Sequence, residues 1–281
     1  MMVKKQLIME NALELFANNG IEATSIQQIT KKCGISKGAF YLSYKSKNEL
    51  VFGLIEYFMS EIIADIEQSV RENPKKEKLL YNFYYTTFSS YEKHSAFAKI
   101  LMKEQFSSFD IELLEQLKKY DQYLNEIILN LVKTQFDKIS NNMHADLVYV
   151  IKCFMKHYSE LFFIYNFPID LQALCESLVE KTTIIAEHAT IPFIPNEFLS
   201  FSTNQATLTK EQISNILLEK INDITDPITQ QSLQLLKVHL DEGLLPSAII
   251  HGLLKNLRAN SHSKWVAYLY ELYLENPDLN S

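Results

Sequence analysis

Apolar residues recur along this chain every three to four positions, in runs broken by short clusters of glycine, proline, serine and asparagine. In the first run Ile8, Ala12, Leu15 and Phe16 fall at i, i+4, i+7 and i+8, one stripe on a helix. Gly20 ends it, because glycine enters the left-handed C-cap conformation at little cost. The next start is marked twice. Thr24 stands three residues before Gln27 and Ser25 three before Gln28, and both pairs fit a capping box. The pattern therefore predicts a short helix from Thr24 or Ser25 with Ile26 and Ile29 inward, a sharp turn at Cys33-Gly34, and a second short helix, capped by Ser36, over Lys37 to Ser43 around Phe40. Ser46 with Glu49 forms a further capping box. It opens a helix running to about Asn73, before Pro74, roughly 40 Å at 1.5 Å per residue.

Helical spacing continues from Lys75 to Glu92, Ser95 to Phe106, Asp110 to Ile139, Asp146 to Tyr165 and Ile169 to His188, with breaks at His94, Ser107-Ser108, Ser140-Asn141-Asn142 and Pro168. Residues 191–206 hold two prolines with Ser, Thr and Asn and read as a connector, pinned by Phe193, Phe198 and Phe201. Four more helices follow, Lys210 to Asn222, Pro227 to Asp241, Pro246 to Ala259 and Ser263 to Glu275; proline near a helix start costs little. Ile213, Leu217, Leu218, Ile221, Leu233 and Leu236 recur 36 residues later as Ile249, Leu253, Leu254, Leu257, Leu269 and Leu272. That echo fits two stacked hairpins, though matching stripes also arise without a repeat.

Composition narrows the class. With 281 residues, only 6 glycines and 7 prolines, the chain reads as all-α and exceeds one typical domain. Apolar runs are too short to span a bilayer, and the start passes straight into an amphipathic helix without a signal sequence, so a cytoplasmic protein without membrane contact is expected. Cys33, Cys153 and Cys175 are scattered and read as small buried apolar residues rather than metal ligands or redox pairs. The whole chain carries −7, yet residues 1–50 hold seven lysines against four glutamates, so a +3 head precedes a −10 remainder. A basic head on an acidic body would orient toward nucleic acid.

Taken together, Ala12, Leu15, Phe16, Gly20, Thr24-Ser25-Ile26, Ile29, Gly34-Ile35-Ser36-Lys37-Gly38, Tyr41, Tyr44, Lys45, Ser46-Lys47 and Leu50 resemble the N-terminal DNA-binding domain of TetR/AcrR-type bacterial transcriptional regulators. Three positions depart: Thr30 and Cys33 stand where the family usually has alanine, and Ser43 where a ring often touches a phosphate. The resemblance implies a three-helix helix-turn-helix domain over 1–47, a helical effector-binding and dimerisation domain over 48–190, the connector, and a C-terminal helical extension over 207–281 that ordinary members do not need. It further implies Ser25, Gln27, Gln28, Ser36, Lys37, Gly38, Ala39, Tyr41, Lys45 and Lys47 as the DNA-facing set. Gln27, Lys37, Gly38 and Ala39 would neighbour base edges, and Tyr41, Lys45 and Lys47 would meet phosphates. The partner would be double-stranded DNA carrying an inverted repeat, bound by a homodimer whose last two body helices, 146–165 and 169–188, form the interface. Leu147, Ile151, Phe154, Tyr158, Leu161 and Phe162, with Leu171, Leu174, Leu178 and Ile185, are the stripes on those helices, which would equally serve as plain core.

The body is rich in aromatics. Tyr84, Phe88, Tyr91, Phe97, Tyr123, Phe154, His157 and Tyr158 are the candidate lining of a pocket for a small hydrophobic or aromatic effector, with Glu160 beside His157; rings at this spacing also build cores. No histidine pair with metal-ligand spacing, Gly-rich phosphate loop or nucleophile elbow occurs, so neither an enzyme nor a cofactor is expected. The leading expectation is a ligand-released repressor. The competing one is a helical adaptor with a non-functional head whose C-terminal hairpins hold a protein partner.

Overall fold

The computed structural model describes residues 2–72, 76–103, 111–165, 167–196, 198–199 and 208–275. Asn73, Pro74, Phe106, Ser107-Ser108, Phe201 and most of the connector's second half lie outside them. Among the described residues every regular element is helical: α1 (Met2–Asn19), α2 (Ile26–Cys33), α3 (Lys37–Tyr41), α4 (Lys47–Glu72), α5 (Lys76–Lys93), α6 (Ser95–Lys103), α7 (Ile111–Gln135), a 3-10 turn (Asn141–Met143), α8 (His144–Phe163), α9 (Leu171–His188), α10 (Lys210–Asp223), α11 (Pro227–Glu242), α12 (Ser247–Ala259) and α13 (Lys264–Glu275).

Local chemistry sets most boundaries. Asp170 caps α9 through the amide of Ala173, Thr209 and Gln212 form a full capping box on α10, and Asp226 caps α11 with Pro227 at its first position. Gly243, at φ 69°, supplies the left-handed C-cap of α11. The second short helix, α3, stops at Tyr41, two residues before the expected Ser43. At α4 only half of the expected box forms: Ser46 Oγ accepts from the amide of Glu49, but the Glu49 carboxylate accepts from the amide of Lys45 rather than Ser46.

Helices α1 to α3 close over Ile8, Ala12, Phe16, Ile29 and Phe40, and Leu50, Val51 and Leu54 of α4 continue that core into the body. In the body α5 is central, packing on α4, α7, α8 and α9, while α6 lies against α1. The last four helices form a bundle in which each touches the next and α13 returns to α10; α13 also packs on α4. The 36-residue echo carries through to burial only in part: Leu217 with Leu253 and Leu233 with Leu269 are buried in both hairpins, whereas Ile213 is buried where Ile249 is exposed, and Leu218 is exposed where Leu254 is buried. The cysteines also divide: Cys175 is buried, Cys33 half-buried and Cys153 exposed, because Cys153 sits on the outer face of α8.

Candidate nucleic-acid interface

The head is built so that α2 and α3 are held from inside and leave a polar row outside. Of the two possible caps the structure uses Ser25: its Oγ accepts from Gln28 N at 3.3 Å, and Gln28 Oε1 accepts from Ser25 N at 2.7 Å. Thr24 instead is buried and donates to the carbonyl of Gly20 at 2.8 Å, tying the α1 end to the start of α2. Gly34 then adopts φ 67°, and Ile35 N donates to Thr30 O at 3.0 Å, which makes the turn. A side chain there would be strained, since L residues rarely adopt this conformation. Ser36 Oγ accepts from Ala39 N at 3.1 Å and starts α3.

Phe40 is fully buried, edge-on to Tyr41 at 5.6 Å, and fixes the rotation of α3. Lys37, Gly38, Tyr41 and Leu42 are consequently exposed, as are Gln27, Gln28, Ser36, Lys45 and Ser46. A Cβ placed on Gly38 would meet only Ser36 Oγ, at 3.8 Å, so nothing inside the protein demands a glycine. Two side chains beside this row turn inward, one of them, Lys47, an expected phosphate contact. Ser43 is buried with its hydroxyl toward the carbonyl of Ala39, so the departure from an aromatic leaves no side chain reaching outward there. Lys47 Nζ donates to the carbonyls of Ile21 at 2.9 Å and Glu22 at 3.4 Å, stitching the α1–α2 loop to the start of α4. Sequence spacing gave no sign of this tie, which links positions 26 residues apart.

Residues 8–54, which contain this whole arrangement, match the family described as bacterial regulatory proteins, tetR family. The head is thus a DNA-binding domain of the TetR type. The chain is 26% identical over 285 aligned positions to the uncharacterized HTH-type transcriptional regulator YerO of Bacillus subtilis strain 168, covering 96% of this chain and 95% of that one. With YuxN of the same organism, also described as an uncharacterized HTH-type transcriptional regulator, it is 25% identical over 90% of this chain and 91% of the relative. The TetR-family regulator PfmR from Thermus thermophilus shares the fold at a TM-score of 0.53 and 18% identity; it is covered over 99% of its length by 66% of this chain. A third of this chain thus has no counterpart in PfmR, while the two Bacillus relatives span nearly all of it.

In the body the eight aromatic and histidine candidates fall in separate places. Tyr84, Phe88 and Tyr91 form one run of rings on α5, with Phe88 stacked on Phe162 of α8 at 5.8 Å. The Tyr84 hydroxyl is 2.7 Å from Thr182 Oγ1 of α9, and burial pushes it far above the usual phenol range. Phe97 stacks on Phe58 of α4 at 4.8 Å, beside His94. Burial, and then Lys93, push the His94 imidazole toward its neutral form, against the pull of Glu61 at 3.4 Å. Tyr123 belongs to a third group with Tyr120, Trp265 and Tyr268, between α7 and α13. Phe154 and Tyr158 lie edge to face on α8, and His157 faces solvent with Glu160 at 3.4 Å.

A cleft of about 430 Å³ opens elsewhere, lined by Leu129, Lys133, Asp137, Asn141, His144, Asn196 and Leu199. None of the eight candidates lines it. On α8 and α9, Leu147, Ile151 and Leu178 are spent in the core of the chain, whereas Phe154, Tyr158, Leu161, Leu171, Leu174 and Ile185 are only partly covered. Ile184, Ile164, Tyr165 and Phe167 are exposed on and between the same helices.

Proposed function

We propose that this TetR-family chain is a homodimeric repressor that binds an inverted-repeat operator through two copies of the α2–α3 head and is released by a small, largely apolar effector held in the body. The observation that carries the DNA-facing part is the exposed row Lys37, Gly38 and Tyr41 standing on a buried Phe40, with Gln27 beside it on α2. Gly38 gives close approach, lysines give phosphate attraction, and Gln27 offers a donor-acceptor pair to a base edge. Lys45 carries the phosphate role more freely than Lys47, whose ammonium already donates to two carbonyls. Pairing is supported by the uncovered apolar residues of α8 and α9. The effector reading rests on the aromatic groups of α5, α6 and α8, whose rings would admit a flat or greasy molecule only by moving apart.

An adaptor reading draws on Ile228, Leu235 and Val238, exposed on α11 as a stripe suited to a partner helix. Band shift with DNA from the gene's own upstream region separates the two. The repressor reading expects a sequence-specific, salt-sensitive complex at a stoichiometry of two chains per site; a monomer that binds no fragment better than random DNA even at low salt refutes it.

A further inference from the structure

Helix α13 touches two body helices at once. Trp265 meets Tyr120 at 5.7 Å and Tyr123 at 5.2 Å on α7, and Lys264 Nζ is 2.9 Å from Asp65 Oδ1 on α4. Deeper in the seam, four charged groups from three helices close on one another. Arg71 of α4 donates to Glu67 at 2.6 Å and forks onto Glu271 of α13, while Arg258 of α12 reaches Glu271 at 2.6 Å and Glu67 at 3.4 Å. Glu67 and Arg258 are buried, and two carboxylates face two guanidiniums, so the charges balance. A buried pair of this kind tolerates little displacement, because separating the partners strands a charge away from water.

We propose that the C-terminal four-helix unit is a brace for α4: it reinforces the direct packing of α4 on α5 and α7 and fixes the distal half of the helix that carries the DNA-binding head. The distal half of α4 is then a fixed point, and any movement of the head relative to the body must arise nearer its N-terminal end or through α6, which lies against α1. The brace holds the head at the spacing that fits DNA. The inference rests on the reading of the head as a DNA reader only for its consequence. The lock itself is tested without DNA.

Trp265 is the only tryptophan of the chain and sits in the seam, so its emission reports engagement of the brace. In full-length protein, Arg258→Met is expected to red-shift that emission and to speed amide exchange in residues 60–72 by roughly tenfold or more, with α1 to α3 unchanged. Lys264→Gln, a milder change at a partly exposed pair, is expected to move both readouts in the same direction by less, and it serves if Arg258→Met does not fold. A variant that exposes Trp265 while α4 exchange stays at the wild-type rate overturns the brace, as does Arg258→Met with neither readout moved. Where the wild type binds a DNA fragment, the released variants are expected to bind it about threefold or more weakly; equal affinity despite a loosened α4 refutes the consequence for the head. A wild type that binds no DNA speaks against the proposed function and leaves the exchange result standing.

Discussion

Gly38 shows how a single residue can be read by subtraction. It lies inside a helix, where glycine costs about 1 kcal/mol relative to alanine, and a Cβ there would find open space except for Ser36 Oγ. The fold gains nothing from its absence. Gly38→Ala is therefore expected to raise the melting temperature of the head slightly while weakening operator binding by about tenfold, as read by thermal unfolding and anisotropy titration. Equal DNA affinity in the variant would remove Gly38 from the interface. The two lysines at the start of α4 separate in a similar way. Lys45→Ala should lower affinity alike for all sequences and reduce the salt slope by about 1 with stability unchanged. Lys47→Ala, which removes the tie to Ile21 and Glu22, should also destabilise the head by roughly 0.5–1.5 kcal/mol.

At the scale of elements the chain was readable wherever a boundary has its own residue chemistry. Ser25, Ser36, Gly20, Gly34 and Pro227 each satisfy or terminate a helix end locally, and the observed ends fall within a few residues of those expected. What could not be read is what depends on distant sequence. The inward turn of Lys47, the division of the rings into separate groups, and the meeting of Glu67 with Arg258 across 191 positions all follow from packing. The α7–α13 seam illustrates the consequence. Glu126 is pushed up to about 7 by burial and then by Glu275, so the folded chain keeps a proton that the unfolded chain releases at lower pH. Its penalty on stability is small below the ordinary carboxylate range and grows as pH rises through about 7. Glu126→Gln should accordingly stabilise the protein by about 1–3 kcal/mol at pH 8 and do little at pH 4, measured by denaturant unfolding at both values. A gain independent of pH would show that Glu126 does not carry the charge in this seam.

For the whole molecule, the issue is which surfaces are left over once each helix has buried one face. Helices α8 and α9 and the turn between them keep apolar residues outward: Ile184, Ile164, Tyr165 and Phe167 are exposed. A charge in the middle of a buried interface is strongly unfavourable, so Ile184→Glu is expected to yield monomers by light scattering and to lose operator binding with the head still folded. Retention of the wild-type mass would place the pairing surface elsewhere. The fold of the head was legible, apart from the inward turn of Lys47, because its caps and turns lie within one continuous stretch and each has a local task. The brace was not, since its four charged groups are spread over α4, α12 and α13 and look in sequence like ordinary surface charges.

The unequal settings of the three sulfurs have a practical corollary. Burial holds the Cys175 thiol up at about 12, and Cys33 is partly covered with its sulfur turned to the carbonyl of Leu7, whereas Cys153 stands open on α8. A maleimide dye added to the unaltered protein should attach at that one place first. If two chains meet along α8, a pair of such dyes would quench each other, and dilution would restore their light.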